Sequence, residues 1–378
     1  MNTVSAAPQD VIARSERLDA YLAQDPSNER LLADAFEAAI AANRLEAAAL
    51  HVETGLVATQ GSEAWTFRRA TLAIAAGRLD EARQLLAGLH GPSPQPAVQF
   101  NLGYVQFRQG EYQASAELLE PLLDQYPAAH ALWLRSLHQI GEVDRAWSWV
   151  AAALQDGRSL DPDAYGVASL VAFDAEHLAE AGQLADHALR ALPGHPEALV
   201  AKGSVALGLQ DAATAAGLAQ AVIQQRDDGR ARSLLGFAQM LLQDLPSALG
   251  SLERAVELMP GHIGTWQGLG WTRLLLGDVA GAEQAFARAL ELDRNFGESH
   301  GSYAVVLAMQ GRAQEAKSHA DRARRLDPDG MAAQYAALVM DGEGADPASV
   351  ERLARRLLSG LARRRPFQPP GEDGESST

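Results

Sequence analysis

Cysteine is absent from this chain of 378 residues. Without thiols there is no disulfide framework, no cysteine nucleophile, and no zinc or iron–sulfur site held by cysteines. No stretch approaches the roughly 18 consecutive apolar residues that a membrane-spanning helix requires. Residues 1–10 have neither a basic start nor an apolar core, so they do not resemble a secretory signal. These absences predict a soluble, cytoplasmic protein with no redox chemistry of its own.

Lysine and aromatic residues are scarce. Among 32 basic residues only Lys202 and Lys317 are lysines, and aromatic residues make up 6% of the chain. The preference for arginine and alanine is typical of GC-rich bacterial genomes. The formal net charge of -16 opposes binding to nucleic acid and favours cationic or apolar partners.

Small residues recur along the chain with spacings of 31 to 35 residues. A repeat of this length indicates stacked supersecondary units rather than two or three globular domains. The recurring positions, nine in number, are Ala48, Ala82, Ser115, Ala146, Ala181, Ala215, Ala248, Ala282 and Ala316.

Each unit is predicted to contain two amphipathic helices, because apolar residues recur three and four positions apart and strand-like alternation is absent. Glycine is expected to end the first helix, since it adopts the left-handed conformation without steric penalty. Proline is expected to follow the second helix, because it has no N–H to donate. The glycines are Gly77, Gly110, Gly141, Gly277 and Gly311, and the prolines are Pro127, Pro193, Pro260 and Pro328.

This pattern resembles the tetratricopeptide repeat family. The best-matching unit contains Trp266, Leu269, Gly270, Gly277, Ala282, Phe286 and Ala289. The resemblance implies an all-α fold, a right-handed superhelical solenoid of about nine antiparallel helix pairs closed by capping helices. The implied domains are an N-terminal segment and capping helix at 1–27, repeats at 28–328, C-terminal capping helices at 329–362 and a disordered tail at 363–378.

No catalytic constellation is found in the sequence. The patterns G-x-S-x-G, H-E-x-x-H and G-x-x-x-x-G-K-[ST] are all missing, and no two histidines have the i, i+3 or i, i+4 spacing of a helical metal site. Gly264, Gly268 and Gly270 are expected to serve helix contacts, since no strand precedes them as a phosphate-binding loop would require. We therefore expect no enzyme activity, no metal and no cofactor.

In the tetratricopeptide repeat family, the first helix of each unit lines a concave groove that binds partners. Carrying the family's groove positions onto this chain places apolar and aromatic side chains on that surface, which suits an apolar or amphipathic peptide. The predicted groove residues are Phe67, Ile74, Phe100, Tyr104, Phe107, Leu170, Phe173, Phe237, Met240, Trp271 and Leu274.

Two interpretations of these residues stay open at this point. A shift of one position in the helix register would turn the same side chains into core residues. Two specialised versions of the family's groove are not expected here: an asparagine ladder, for which only Asn101 is present, and a carboxylate clamp, for which the chain has too few lysines.

Basic residues collect near the C-terminus, where Arg352, Arg355 and Arg356 lie opposite leucines in a predicted helix. This pattern suits the solvated face of a capping helix. The alternative is peripheral docking of that helix on an anionic membrane or on nucleic acid.

The leading hypothesis is a noncatalytic scaffold, adaptor or chaperone that binds a partner protein or peptide in the groove, with the acidic surface steering a basic partner. The alternative is a regulatory or substrate-presenting subunit of a separately encoded enzyme, or of a secretion or polysaccharide assembly machine.

Overall fold

The computed structural model describes residues 9–89, 96–328 and 330–340. These residues form twenty α-helices and one short 3-10 helix, and no β-strand occurs among them. The chain divides into two compact units, Met1–Val171 and Ala172–Thr378. The predicted all-α class is confirmed in the described part of the chain.

Unit 1 begins with a single helix, which is followed by helix pairs. Its helices are α1 (Gln9–Gln24), α2 (Glu29–Ala41), α3 (Leu45–Ala58), α4 (Glu63–Ala75), α5 (Leu79–Ala87), α6 (Pro96–Arg108), α7 (Tyr112–Leu119, continued by the 3-10 turn Glu120–Leu122), α8 (Ala129–Gln139), α9 (Val143–Gln155) and most of α10 (Pro162–Asp174).

Unit 2 continues the same alternation and ends, within the described residues, on a single helix. Its helices are α11 (Leu178–Ala191), α12 (Pro196–Gly208), α13 (Ala212–Gln225), α14 (Gly229–Leu241), α15 (Leu245–Leu258), α16 (Ile263–Leu275), α17 (Val279–Leu292), α18 (Gly297–Met309), α19 (Ala313–Leu326) and α20 (Met331–Met340). Residues 341–378 lie outside the description, so the predicted domain boundaries stay a prediction.

The turn between the two helices of each pair has one residue with positive φ. The five predicted glycines occupy this position with φ of 73° to 83°, which confirms their predicted role in ending the first helix. The other four turns place an ordinary side chain there, at a steric cost that glycine avoids. These residues are Asn43, Glu176, Gln210 and Gln243, with φ of 54° to 63°.

The recurring small residues lie where helices approach most closely. All nine, from Ala48 to Ala316, have no exposed surface. Glycine is needed at some first-helix positions for the same reason: a Cβ at Gly270 would clash with the Phe286 ring, and one at Gly103 would lie 2.9 Å from Leu119. Helix axes can come within about 8 Å only where one side contributes so little bulk.

Apolar side chains fill the space between the helices of each unit. In unit 1, Phe36 packs edge-on against Trp65 with ring centroids 6.4 Å apart, and both side chains are buried. In unit 2, an edge-on contact between the two helices of one pair joins Trp271 on α16 and Phe286 on α17, with ring centroids 5.4 Å apart. Burying a side chain of this kind contributes roughly 2 to 3 kcal/mol, so each pair depends on its neighbours to cover its apolar surface.

Replacing Glu176 by glycine should stabilise the protein. Glu176 is exposed and has φ of 63°, so its side chain contributes steric strain at that turn. Relief of this strain, partly offset by the greater freedom of glycine in the unfolded chain, should raise the free energy of unfolding by about 1 kcal/mol. Urea titration followed by circular dichroism measures the change.

Gly110→Ala is the matched control, because Gly110 occupies the equivalent turn with φ of 82°. This variant should lose about 1 kcal/mol. A Glu176→Gly variant less stable than the native chain would contradict the assignment of strain to this turn.

Candidate functional site

Two neighbouring first helices of unit 1, α4 and α6, hold a group of half-buried apolar side chains. These side chains are Phe67 and Ile74 on α4, and Phe100, Tyr104 and Phe107 on α6. We call this group the aromatic face. Its members project from the helices that the repeat pattern predicted, and each keeps part of its surface accessible.

Contacts with neighbouring side chains hold the aromatic face in position. Phe67 and Ile74 pack against a buried cluster that includes Leu86 and Val105. Phe100 lies 5.5 Å from Tyr126 between ring centroids, and Phe107 lies 5.2 Å from Tyr112. Side chains fixed in this way lose little conformational entropy when a partner covers them.

Arg108 contacts the aromatic face, and Arg68 on α4 lies beside Trp65. The guanidinium of Arg108 lies 5.7 Å from the centre of the Tyr104 ring, and its Nη1 donates a hydrogen bond of 2.9 Å to the Tyr104 hydroxyl. Arg68 lies 4.9 Å from the Trp65 ring and 3.6 Å from a carboxylate oxygen of Glu37. Within the described residues no ion pair joins Arg108 to a carboxylate.

A surface cavity of about 410 Å³ lies on the neighbouring first helices α2 and α4. It is formed by residues of both charge signs around one aromatic side chain, namely Glu29, Arg30, Ala33, Trp65 and Arg68. Arg68 therefore belongs to this cavity and also follows Phe67 of the aromatic face directly in sequence.

Four predicted groove residues are buried, which corrects the prediction that they are exposed. The exposed fractions of Leu170, Met240, Trp271 and Leu274 are 5%, 3%, 6% and 4%. Met240, Trp271 and Leu274 belong to one core cluster of unit 2, with Val305 and Tyr335 among its other members. For these four residues the core interpretation holds, and a partner cannot contact them in this structure.

A glycine at the contact of α14 with α16 distinguishes these two helices from α4 and α6. Gly268 lies two positions before Gly270 and is so close to Phe237 that a Cβ there would be 2.6 Å from the ring. The equivalent positions on α4 and α6 are Arg68 and Asn101, which are larger. The contact of α14 with α16 at Gly268 accompanies the burial of Met240 and Trp271, whereas the side chains on α4 and α6 stay half-buried.

The other predicted sites are not brought together by the described structure. Phe237 is half-buried against the core of unit 2, and Phe173 is half-buried at the end of α10. Arg352, Arg355 and Arg356, the predicted basic docking helix, lie outside the described residues.

The described residues contain neither a metal site nor a membrane-spanning helix. No group of three or more histidine, aspartate or glutamate side chains is arranged to hold a metal ion among them. No helix in this part of the chain combines the length and apolar character needed to cross a bilayer.

Sequence analysis missed one close pair of titratable residues, His300 on α18 and His319 on α19. Their Nδ1 atoms are 2.9 Å apart, and the ring centroids are 5.0 Å apart. His300 Nε2 lies 3.0 Å from the Arg294 carbonyl oxygen, which can only accept, so Nε2 carries the proton. His319 must then donate from Nδ1 to His300. Residues nineteen positions apart are not neighbours on one helix, so no sequence pattern indicates the pair. The antiparallel packing of α18 and α19 brings the two histidines together.

Burial lowers the pKa of both imidazoles below the usual range. For His300, the hydrogen bond to the Arg294 carbonyl opposes this effect, and the charge of Arg322 adds to it. For His319, the nearby His300, Arg322 and Arg312 lower the pKa further, while Glu315 raises it. The pair is therefore held neutral in the folded protein.

The helix pairs, their turns and their small contact residues define an all-α repeat protein. Residues 100–160 and 268–337 match the family model described as Tetratricopeptide repeat. The human Tetratricopeptide repeat protein 36 is 31% identical over 106 residues, which is 27% of this chain and 56% of that relative. The chain thus spans little more than half the length of the curated relative. Residues 100–160 and 268–337 are thus similar to tetratricopeptide repeats, which confirms the predicted resemblance in these two segments.

Solved structures share this fold. The crystal structure of the APC/C hetero-tetramer Cut9-Hcn1 has a TM-score of 0.50 at 14% identity, with 90% of this chain and 78% of that chain covered. The thermophilic tetratricopeptide repeat protein TTC0263 of Thermus thermophilus has a TM-score of 0.41 at 20% identity, with coverages of 47% and 98%. At 14% identity, the similarity to the Cut9-Hcn1 structure shows the fold alone.

The histidine pair should make stability depend on pH. An unfolded histidine titrates near pH 6.5, whereas the folded pair has lowered pKa values, so the unfolded chain binds more protons as the pH falls. The stabilising contribution is therefore complete above about pH 6.5 and is lost on acidification. His319→Gln removes one titrating group, and it should reduce the loss of unfolding free energy between pH 7.5 and pH 5.5.

Urea titrations at the two pH values measure this difference, with His187→Gln as the control because His187 is exposed. The control should keep the pH dependence of the native chain. An unchanged pH dependence in His319→Gln would show that the pair does not contribute.

Proposed function

We propose that this protein is a noncatalytic scaffold that binds a segment of a partner protein on the aromatic face of unit 1. The family is an interaction fold in general, and the half-buried state of Phe67, Ile74, Phe100, Tyr104 and Phe107 is the observation that supports this particular surface. Contiguous apolar side chains that remain accessible are typical of binding surfaces.

The aromatic side chains would supply most of the binding energy. Tyrosine and phenylalanine bury large areas and commonly dominate the energetics of an interface. Tyr104 also has its hydroxyl bound to Arg108, which fixes the ring before a partner arrives. Preorganisation of this kind reduces the entropy lost on binding.

The partner segment is proposed to be apolar or amphipathic. The net charge of -16 attracts cationic proteins over distance, which raises the rate of association. The aromatic face itself has Arg108 beside Tyr104, so its direct contacts are proposed to be with apolar side chains. The roles of chaperone and of enzyme subunit, and the cytoplasmic location, stay predictions.

Phe100→Ser combined with Tyr104→Ser should abolish partner binding, because the two changes remove aromatic area and leave hydroxyl groups in its place. The matched control is Leu50→Ser with Val57→Ser on α3, where the exposed fractions are 67% and 79%. Affinity purification with quantitative mass spectrometry should find a partner that the native chain and the control retain and that the double variant loses at least about tenfold.

Circular dichroism of the three proteins shows whether all are equally helical. A partner that the folded double variant retains would overturn the proposed surface. Unfolding of the double variant, with a folded control, would show that the aromatic face is structural core and would likewise overturn the proposal.

A further inference from the structure

Three consecutive turns of unit 2 expose a leucine at the same repeat position. Leu209, Leu242 and Leu276 are the C-cap residues that directly follow α12, α14 and α16, and their exposed fractions are 70%, 53% and 42%. Single exposed leucines are common on protein surfaces. Three at equivalent positions of adjacent helix pairs form an ordered row instead.

The fold does not require leucine at this position. The equivalent residue ends the first helix in each of the other six described pairs, and it is small, polar or, once, a half-buried isoleucine. These residues are Ala42, Ala76, Gln109, Ile140, Ala175 and Gln310. Ending the helix therefore does not account for the three leucines.

An aspartate follows each leucine by two positions. Asp211, Asp244 and Asp278 begin the second helices, and one oxygen of each accepts a backbone N–H, from Thr214 at 3.1 Å, Ser247 at 3.3 Å and Gly281 at 2.8 Å. Within the described residues none of the three forms an ion pair. Arg273, which lies beside the third turn, is bound to Glu253 at 3.0 Å. The three carboxylates thus keep their negative charge available.

We call these six residues the leucine–aspartate edge. The other six described turns have at the aspartate position Arg44, Arg78, Glu111, Glu142, His177 and Arg312. The combination of exposed leucine and unpaired aspartate is therefore confined to three adjacent turns of the described chain.

A surface cavity of about 370 Å³ lies between the first two of these turns. It is lined by Gln210, Asp211, Ala212 and Ala213 on one side and by Leu241 and Leu242 on the other. A water molecule occupies about 30 Å³ of the liquid, so the cavity has room for an apolar side chain, with a carboxylate at its rim.

The spacing of the turns suits a helical partner. Packed helices lie about 8 to 10 Å apart, so neighbouring leucines of the edge should be separated by about that distance. Seven residues of an α-helix advance about 10.5 Å. A helix with apolar residues at every seventh position would therefore place one beside each leucine.

We propose that the leucine–aspartate edge binds a cationic amphipathic helix of a partner protein. Its apolar side chains cover the leucines and enter the cavity, and its lysine or arginine side chains pair with the three aspartates. This surface lies on unit 2 and is separate from the aromatic face of unit 1, so the inference does not depend on the proposed function. A second copy of this chain is a poor occupant, because two such edges would bring like charges together.

A synthetic peptide provides the probe. It has eighteen residues with leucine at positions 2, 9 and 16 and otherwise lysine and alanine, and a fluorophore reports binding by anisotropy. A second peptide has glutamate in place of every lysine, and a third has alanine in place of every leucine. The native chain should bind the first peptide at least about tenfold more tightly than either of the others.

Two sets of variants separate the apolar and the charged contributions. Leu209→Gln, Leu242→Gln and Leu276→Gln together should weaken binding at least about tenfold. Asp211→Asn, Asp244→Asn and Asp278→Asn together keep the helix caps, because asparagine caps as well as aspartate. This charge variant should bind about threefold to tenfold more weakly, with a smaller salt dependence and an unchanged melting temperature.

Three controls define the site. Leu50→Gln and Val57→Gln, as two separate variants, should each bind the lysine peptide as the native chain does. Arg352→Gln, Arg355→Gln and Arg356→Gln together should also leave the affinity unchanged. A large gain in affinity in this last variant would show that the chain's own basic segment occupies the edge, which would overturn the proposal.

Equal binding of the lysine and glutamate peptides would also overturn the proposal, as would native affinity in the leucine variant. Sedimentation of the native chain without peptide tests whether a second copy of this chain binds the leucine–aspartate edge. Self-association that the leucine variant abolishes would assign the edge to contacts between copies of this chain and would likewise contradict the proposal.

Discussion

The close approach of neighbouring helices at small side chains is the contact on which the rest of the structure depends. Ala48, Ala82 and Ala282 are completely buried, and a Cβ at Gly270 would overlap the Phe286 ring. Because each helix pair has too little apolar surface to fold alone, this contact must recur in every repeat. It recurs at spacings of 31 to 35 residues, and it determines which side chains face a neighbouring helix and which remain accessible.

The same contact gives the two units different surfaces. In unit 2, Gly268 admits the Phe237 ring, and Met240 and Trp271 become core residues of the unit. In unit 1 the larger Arg68 occupies the equivalent position, and Phe67 and Tyr104 remain half-buried. Apolar surface thus stays accessible on α4 and α6, whereas Leu170 on α10 is buried, and three turns of unit 2 expose leucines.

The helices and their turns follow from the sequence because the signals are local. Gly77 and Gly311 end helices where their left-handed conformation is needed, and Ala146 or Ala215 marks a helix contact by its size. The candidate site was only partly predictable, since Tyr104 and Trp271 occupy equivalent repeat positions and differ in burial. That difference depends on residues of the adjacent repeat. The His300–His319 pair was not predictable, because it joins residues on two helices whose relative rotation no local pattern specifies.

Hydroxyl-radical footprinting with mass spectrometry tests most directly whether the aromatic face of α4 and α6 is accessible while Met240 and Trp271 are buried. Methionine and tryptophan react with hydroxyl radicals faster than phenylalanine does when they are equally exposed. Stronger labelling of the phenylalanines than of Met240 and Trp271 would therefore reflect burial and not intrinsic reactivity. The account predicts labelling of Phe100, Tyr104 and Phe107, with Met240 and Trp271 protected until the chain is unfolded in urea. Labelling of Met240 and Trp271 in the folded protein, at the rates of the unfolded chain, would contradict it.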